Sequence, residues 1–362
     1  MNTQAVVSAQ KHESFDPSVK INTESAFAEI IAPPLKAQLA LMTRLLNGID
    51  TIALVDYPVS GNVGDSLIWL GQVELFNQLK KKVVYVDAGW HTNDAELRKV
   101  IDKGAAIIIM GGGNFGTVWP HHHRFREHLL QTFADATIIQ MPQSIFFDDE
   151  KALAQTQRIV EGCPNFHFLV RDFPSLNFAR ANFKTSIEFC PDSAFFLGLL
   201  KAPPAEVDVL YLRRSDKESS DSPVDDQLFA QSNLTISVTD WLQQNLTERV
   251  IHKIVRNLIR FRLLKNTSEL TFSLYNKLAW ARANRGIQIL ARGRCIVTDR
   301  LHAHVLGMLI GRPDVLLDNS IGKIFNFHEA WTQQWPATRK AESLEGALAL
   351  ADTAINSAAA EI

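Results

Sequence analysis

The sequence predicts an α/β protein with two parallel-sheet, Rossmann-like domains that face each other across a cleft. Short apolar runs alternate with helix-length segments along most of the chain, which is the pattern of strand-helix-strand crossovers in a parallel sheet. The length of 362 residues suggests two domains of ordinary size. A pair of prolines within residues 201–204, followed by a polar loop beyond the next apolar run, marks the expected boundary.

Four parts are expected along the chain. Residues 1–32 are polar and aperiodic, which predicts a mobile arm. Residues 33–200 are expected to form the N-terminal α/β domain, with a first helix in LKAQLALMTRLLNGI and strands in TIALVDY, KKVVYVDAG, AAIIIMGGG, ATIIQMPQS and FHFLVRD. Residues 205–340 are expected to form the C-terminal α/β domain, with strands in VLYL, LTISVTD, RCIVTD and PDVLLD. Residues 341–362 are expected to form a final helix.

The composition favours a soluble, globular, cytoplasmic protein. Hydrophobic residues make up 46% and charged residues 21% of the chain, and the net charge of -2 argues against nucleic acid as a partner. The three cysteines are far apart without CxxC spacing, so neither a disulfide framework nor a metal site is predicted. The sequence shows no signal-peptide pattern at its start and no run of about 18 apolar residues that could span a bilayer.

The stretch TDRLHAHVLGMLIGRP, residues 298–313, places cationic side chains at a predicted strand-to-helix turn. The run CIVT is expected to be the strand, with the helix beginning at Leu301 and His302 in its first turn. Unpaired backbone N–H groups and the helix dipole favour an anion there, and Arg300 adds a planar guanidinium that suits carboxylate or phosphate. The alternative role for His302 is helix capping or core packing, and for His304 that alternative is preferred.

Two glycine-containing stretches follow predicted strands of the first domain. In GNVGDS, residues 61–66, the glycines allow the backbone to approach a ligand, and Asp65 is placed to cap the next helix or to accept a substrate proton. GGGNFG, residues 111–116, matches the dinucleotide pattern GxGxxG, but the bulky VWPHHHRF follows where a helix of small residues should begin. An NAD site is therefore disfavoured.

Histidines and arginines supply further candidates around the cleft. His121, His122 and His123 are consecutive, and since adjacent helical side chains diverge by about 100°, at most one of them should line the cleft. Arg171 follows the predicted strand FHFLV, and Arg213 follows VLYL. Either arginine alone could be a surface ion-pair partner, but several around one cleft without a matching acidic cluster predict an anion-binding subsite.

At these residues the chain resembles the polysaccharide pyruvyl transferases, including the bacterial exopolysaccharide ketal-pyruvate transferases. The motifs that carry the resemblance are GNVGDSLIWLG, GGGNFGTVWPHHHRFRE, MPQSIFF, RDFPS, PDSAFF, YLRR, TDRLHAHVLGMLIGRP and LDNSIGKIFNFHEAW. The resemblance implies a GT-B-like fold and transfer of pyruvate from phosphoenolpyruvate onto two hydroxyls of a sugar as a cyclic ketal. Phosphoenolpyruvate would be a co-substrate, and neither a cofactor nor a metal is expected.

The resemblance also implies roles for particular residues. His302 would be the general acid, and Asp65 and His122 would complete the catalytic set from the facing wall. The donor would be bound by Arg171, Arg300, Leu301 and Arg213. The acceptor side or the cleft lining would be formed by Gly61, Asn62, Gly64, Gly112, Gly113 and Asn114.

Other functions remain as alternatives at this point. A GT-B glycosyltransferase would use a nucleotide sugar, with Asp318 or Asn319 near the ribose, and a non-catalytic scaffold of a polysaccharide export complex would keep the fold alone. A lipid-linked oligosaccharide is the expected acceptor for the pyruvyl transferase. Peripheral contact with the inner membrane face is expected through ERVIHKIVRNLIRFRLLK, residues 248–265, where apolar and cationic residues alternate at helical spacing. An ordinary helix with its apolar face packed on a sheet is the alternative.

Overall fold

The computed structural model describes residues 22–89, 92–214, 226–242, 246–261, 263, 265–318 and 322–359, and it contains two parallel sheets. The strands of the first sheet are β1 (Thr51–Val55), β2 (Lys82–Val86), β3 (Ala106–Ile109), β4 (Gly112–Gly116), β5 (Ile138–Phe146), β6 (Phe166–Val170) and β7 (Ser186–Phe189). The strands of the second sheet are β8 (Val207–Leu212), β9 (Ile236–Thr239), β10 (Gly293–Thr298), β11 (Asp314–Leu317) and β12 (Thr338–Ala341).

Helices connect the strands of both sheets. The α-helices are α1 (Thr23–Ala26), α2 (Ala32–Leu45), α3 (Val63–Gln78), α4 (Asp94–Ile101), α5 (Pro120–Thr132), α6 (Glu150–Glu161), α7 (Phe173–Asn182), α8 (Asp226–Gln231), α9 (Leu246–Arg260), α10 (Glu269–Ala291), α11 (Leu301–Leu309), α12 (Lys323–Phe327) and α13 (Leu344–Ala359). Two π-helical segments, Phe27–Ile31 and His328–Thr332, and a 3-10 segment, Ser193–Leu197, complete the elements. Among the described residues, none of the helices combines the length and apolar character that a bilayer span requires.

The strand orders locate the expected binding edge of each sheet. The first sheet runs β2-β1-β3-β5-β6-β7 with β4 paired to β5, and the second runs β12-β11-β10-β8-β9; every pairing is parallel. The predicted α/β class with two parallel sheets is confirmed. In the first sheet the chain goes from β1 to β2 on one side and from β3 toward β5 on the other side, so the strand order reverses between β1 and β3. In the second sheet the same reversal lies between β8 and β10. Ligands of open α/β sheets bind at such switch points.

The chain becomes helical earlier than its polar composition indicates. Residues 1–21 of the expected arm lie outside the described residues, but α1 and the π-helical segment occupy most of residues 22–32. Asn22 caps α1 by accepting a hydrogen bond from the Ser25 N–H at 3.1 Å, and Ile31 is buried in the core. Two buried apolar side chains, Ala26 and Ile31, anchor the capped segment in the core, and its π-helical part also contacts the His328–Thr332 segment of the second half.

The glycine-rich stretch after β3 forms a further strand, β4, that the sequence did not indicate. β4 pairs with β5, and a Cβ added at Gly116 would lie 1.9 Å from the Phe146 carbonyl oxygen, at a φ of +110°. Only glycine allows this close approach of the two backbones. A dinucleotide fingerprint would lead from its glycines directly into a helix, whereas α5 begins only at Pro120.

Helix α10 belongs by sequence to the second half of the chain but packs against the first. Tyr275 stacks on Tyr57 with ring centroids 4.0 Å apart, and Arg282 donates a hydrogen bond to the Pro58 carbonyl at 2.7 Å. One continuous hydrophobic cluster runs from α2 and α3 through α10 to α11. The two sheets therefore share a core.

Candidate active site

His302 lies where the two halves of the chain meet. It occupies the first turn of α11, and its side chain is 12% exposed. Its imidazole rests on the backbone of Gly64 in the first turn of α3, because a Cβ at Gly64 would lie only 2.7 Å from Nδ1 and 2.8 Å from Cγ of the ring. The motifs GNVGD and DRLH are thus brought into direct contact, and the second glycine of GNVGD makes the room for the imidazole.

A buried carboxylate joins His302 to Arg171. The Asp192 side chain, 1% exposed, accepts hydrogen bonds from Nε2 of His302 at 3.4 Å, from Nη1 of Arg171, and from the Ala194 N–H at 2.9 Å. Burial of the Asp192 carboxyl opposes its ionisation, but the positive charges of His302 and Arg171 and these hydrogen bonds outweigh burial and hold its pKa well below the usual range. Asp192 is therefore an anion that contacts one basic side chain from each half of the chain.

Arg171 is fixed from several sides. Its Nε donates a hydrogen bond to Oγ of Ser144 at 3.0 Å, and the side chain is nearly fully buried. A Cβ at Gly113 would lie 3.0 Å from Nη2 of Arg171 and 3.4 Å from Nζ of Lys323. The glycine of GGGN therefore allows two cationic groups to lie side by side against the backbone.

Lys323 was not expected as a site residue. It begins α12, is half-buried, and donates a hydrogen bond from Nζ to the Gly113 carbonyl at 3.3 Å. The sequence could have indicated Lys323 because it belongs to LDNSIGK, the start of one of the motifs that carry the family resemblance. Residues 319–321 of this motif lie outside the described part of the chain. Lys323 adds a cation from the second half next to Arg171.

The other predicted donor residues lie at the ends of β8 and β10. Arg300 is the N-cap residue of α11 and is 3% exposed; its Nη2 donates to the Asp240 carboxylate at 2.9 Å, and its guanidinium lies 5.8 Å from the Trp241 ring centroid. Leu301 is buried in the core, so only its backbone could meet a ligand. Arg213 is half-buried, and its backbone N–H bonds to the Thr239 carbonyl at 3.0 Å.

Asp65, in the first turn of α3, is held by hydrogen bonds from the residues that precede the helix. Its Oδ2 accepts hydrogen bonds from Oγ of Ser60 at 3.2 Å and from Nδ2 of Asn62 at 3.0 Å, and its side chain is half-exposed. Asn62 is the residue that caps α3, through the Gly64 N–H at 3.1 Å. The Asp65 carboxylate is consequently not used as the helix cap and lies beside the Gly64–His302 contact.

His122 forms a second cluster with Asp56, a residue that the sequence did not single out. Nδ1 of His122 lies 3.0 Å from Oδ1 of Asp56, and Arg126 contacts the other carboxylate oxygen at 3.1 Å. Asp56 follows β1 with a φ of +68°, an uncommon conformation that is often found at functional sites. The carboxylate orients the His122 ring so that Nε2 is directed away from Asp56.

The neighbouring histidines have different environments, as the helical spacing predicts. His123 is buried: its Nδ1 accepts from the Gly116 N–H at 3.1 Å, and its Nε2 lies 2.8 Å from Oγ1 of Thr156. Burial, with a contribution from the positive charge of Arg126, lowers the pKa of His123 to about 4, so this ring is neutral and structural. His121 is exposed on the helix surface, and partial desolvation of its ring together with electrostatic repulsion from His122 lowers its pKa.

Asn114 connects the two clusters. Its Oδ1 accepts hydrogen bonds from Arg126 at 2.7 Å and from Gln143 at 3.0 Å, and its preceding neighbour is Gly113. Arg126 contacts Asp56, whereas Gly113 lies against Arg171. The Asp56–His122 pair and the Arg171–Asp192–His302 chain therefore lie on the two sides of the start of β4.

An aromatic stack borders Arg171. The rings of Phe173, Phe189 and Trp331 lie nearly parallel, with centroids 5.0 and 4.5 Å apart, and the Trp331 indole N–H donates to the Arg171 carbonyl at 2.7 Å. Phe173 is 41% exposed. A flat apolar face is thus presented to solvent two residues from the buried arginine.

Comparisons with known proteins agree with these motifs. A sequence model of the polysaccharide pyruvyl transferase family matches residues 62–321. The chain is 32% identical over 300 residues to pyruvyl transferase 1 of Schizosaccharomyces pombe, covering 78% of this chain and 70% of that protein. It is 28% identical over 317 residues to a Bacillus subtilis protein provisionally named pyruvyl transferase EpsO, covering 84% of this chain and 92% of that protein.

A solved structure supports the fold. A functionally uncharacterized protein from Klebsiella pneumoniae superposes with a TM-score of 0.55 at 16% sequence identity, over 85% of this chain and 99% of that one. The matched residues 62–321 include His302, Arg171 and Asp192 and cover well over half of the chain. The chain belongs to the polysaccharide pyruvyl transferase family.

Proposed function

We propose that the protein transfers the pyruvyl group of phosphoenolpyruvate to two hydroxyls of a sugar in an exopolysaccharide or its lipid-linked precursor, forming a cyclic ketal. The observation that carries this proposal is the chain from Arg171 through Asp192 to His302, which places an acid-base group beside a buried cation at the meeting point of the two halves. Membership of the family supports the reaction class.

The donor requires sites for two anionic groups. Arg171 and Lys323 converge on Gly113, and Arg300 stands at the start of α11, whose N-terminal N–H groups favour an anion. Phosphoenolpyruvate carries a carboxylate and a phosphate, which these cations would bind through charge-assisted hydrogen bonds. The cations would also stabilise the phosphate as negative charge develops on it during departure.

His302 is the proposed general acid. Its imidazolium would give a proton to the methylene carbon of phosphoenolpyruvate, which becomes a methyl group and leaves an oxocarbenium-like centre at C2. The first sugar hydroxyl would attack C2 and lose its proton; the C2–O bond to phosphate would then break, and the second hydroxyl would close the ring. One of the two hydroxyl protons restores His302 and the other leaves with inorganic phosphate, so the protons balance.

His122 is the proposed base on the acceptor side. With Nδ1 donating to Asp56, Nε2 would carry the lone pair that receives the proton of an acceptor hydroxyl, as in other carboxylate-oriented histidines. Asp65, beside the Gly64–His302 contact, would accept a hydrogen bond from the second hydroxyl. The exposed face of Phe173 would pack against the apolar C–H face of a sugar ring.

The test is a reaction with phosphoenolpyruvate and a panel of oligosaccharides and lipid-linked oligosaccharides that carry free hydroxyl pairs. We expect release of inorganic phosphate together with a product heavier by one pyruvate less one water. The His302→Asn variant should bind phosphoenolpyruvate but turn over about 100- to 10,000-fold more slowly. Retention of more than a tenth of the wild-type rate would show that His302 is not the acid.

Donor binding separates this proposal from a nucleotide-sugar glycosyltransferase. Phosphoenolpyruvate should raise the unfolding temperature, since a ligand that binds only the folded state stabilises it. UDP and GDP should not. Stabilisation by a nucleoside diphosphate and none by phosphoenolpyruvate would reverse the assignment.

A further inference from the structure

Helix α9 carries a surface that the reaction does not use. Five large apolar side chains here are between 38 and 68% exposed: Val250, Ile251 and Ile254 in the helix, and Phe261 and Leu263 just beyond it. We call these five residues the apolar stripe. Isolated exposed apolar side chains are common, but five large ones within fourteen residues of sequence are a concentration that requires an explanation.

Only the Ile251 edge of the stripe borders the face by which α9 is attached to the protein. Val255, one turn after Ile251, is buried in the shared core, and the buried Glu248 forms an ion pair with Arg285 of α10. An ordinary domain helix would bury most of its apolar face. Here, of the apolar α9 side chains whose burial is described, Val255 alone is fully buried.

Cations flank the stripe. Lys253 and Lys265 are exposed, and Glu248, the only acidic residue in residues 246–265, is already paired with Arg285. The sequence adds Arg249, Arg256, Arg260 and Arg262 to the same segment. Residues 262 and 264 and the side chains at 252, 256, 259 and 260 lie outside the described part of the chain.

We propose that α9 binds an anionic phospholipid surface, with the apolar stripe inserted at the boundary between headgroups and acyl chains. A lipid boundary accepts apolar side chains of different lengths without a shaped pocket, while long cationic side chains reach the headgroup phosphates. The excess of positive charge next to the stripe complements anionic lipid and selects it over neutral lipid. This inference is independent of the proposed reaction.

The position of α9 gives the contact a consequence for the active site. Arg285, the partner of Glu248, also donates a hydrogen bond to the Gly61 carbonyl in the GNVGD loop. One arginine therefore connects the N-terminal end of α9 to the loop that precedes Gly64, the residue against which His302 packs. A membrane bound by α9 would bring lipid-linked acceptors close to that loop.

Co-sedimentation with vesicles tests the proposal. Full-length wild type should sediment with vesicles that contain phosphatidylglycerol at low salt, less so at raised salt, and weakly with pure phosphatidylcholine. Since each cation near an anionic surface contributes about 1 kcal/mol, Lys253→Gln with Lys265→Gln should lower the partition coefficient about 30-fold. Val250→Ser with Ile254→Ser should lower it at least about tenfold.

A second pair of exposed lysines, far from α9 in the sequence, provides the control. Lys99→Gln with Lys103→Gln, two exposed lysines in and after α4, removes the same charge elsewhere and should leave sedimentation unchanged. All substituted side chains are exposed, so circular dichroism and unfolding temperature should match those of wild type. Wild type that stays in the supernatant with anionic vesicles at low salt would overturn the proposal, as would an equal loss in the control pair. Light scattering that shows a dimer broken by Val250→Ser with Ile254→Ser would also overturn it, because a second copy would then cover the stripe.

Discussion

Replacing Gly64 by alanine tests whether His302 is positioned by the first half of the chain. The added Cβ would lie 2.7, 2.8 and 2.9 Å from Nδ1, Cγ and Cβ of His302, whereas carbon contacts are ordinarily about 3.5–4.0 Å. The imidazole must therefore move by roughly 0.8 Å or more. A displacement of about 1 Å can cost about 100-fold in rate, so we expect kcat to fall about 100-fold in a phosphate-release assay.

The fold should survive this substitution. Gly64 is in the first turn of α3 with a helical backbone, where alanine is favoured over glycine by up to about 1 kcal/mol, which partly offsets the contact. Gly162→Ala is the matched control, because its Cβ would meet nothing closer than 3.4 Å at a φ of -77°. Adding Gly64→Ala to His302→Asn should cost nothing further if Gly64 acts through His302. An unchanged kcat in Gly64→Ala, or a full additional loss in the double variant, would refute the reasoning.

Three further outcomes are expected. Arg171→Lys keeps the charge beside Asp192 but loses the guanidinium fork and the Nε bond to Ser144, so KM for phosphoenolpyruvate should rise roughly tenfold or more while KM for the acceptor is unchanged. Phe173→Ala should raise KM for the acceptor about 2- to 10-fold and leave the donor unaffected, whereas Trp280→Ala, at similar exposure on α10, should change neither. The pKa of buried His123 is about 4, against 6.5 in the unfolded chain, so the unfolded state binds more protons below pH 6.5 and stability falls as the pH falls. Urea unfolding should show that wild type loses roughly 2 kcal/mol more stability between pH 7 and 5 than His123→Asn does. Equal losses in the two proteins would contradict the assignment of His123 as a buried, neutral side chain.

The sequence predicted those strands whose own residues show a clear apolar pattern. The long apolar runs of β1, β3, β5 and β10 are recognisable because strands buried on both faces need continuous apolar residues. β4 was missed because glycine disfavours strands, and its pairing depends on the close approach of the β5 backbone at Phe146. β7 and β12 are four-residue edge strands, β7 without a fully buried residue, and neither has a distinctive period.

The candidate site also contains residues with a local sequence signal and residues without one. His302 and Arg300 were predictable because a strand-to-helix turn loaded with cations is visible within a few residues. Asp192 was not assigned a role, because Asp followed by Ser is an ordinary helix-cap signal, and the residue does accept the Ala194 N–H. Its contacts with Arg171 and His302 span 21 and 110 residues, and only the packing of the two halves creates them. Asp56 was missed for the same reason, since its partners come from α5.

The attachment of α10 to the first half limits how the two halves of the chain can move apart. A Cβ at Gly286 would lie 2.4 Å from a methyl of Val63, so the side chain at the start of α3 packs directly on the backbone of α10 at Gly286. Rocking one sheet against the other would have to separate this contact, the Tyr57–Tyr275 stack and the Arg282 hydrogen bond together. The two halves should therefore behave as one rigid frame, and both sheets should melt in a single calorimetric transition.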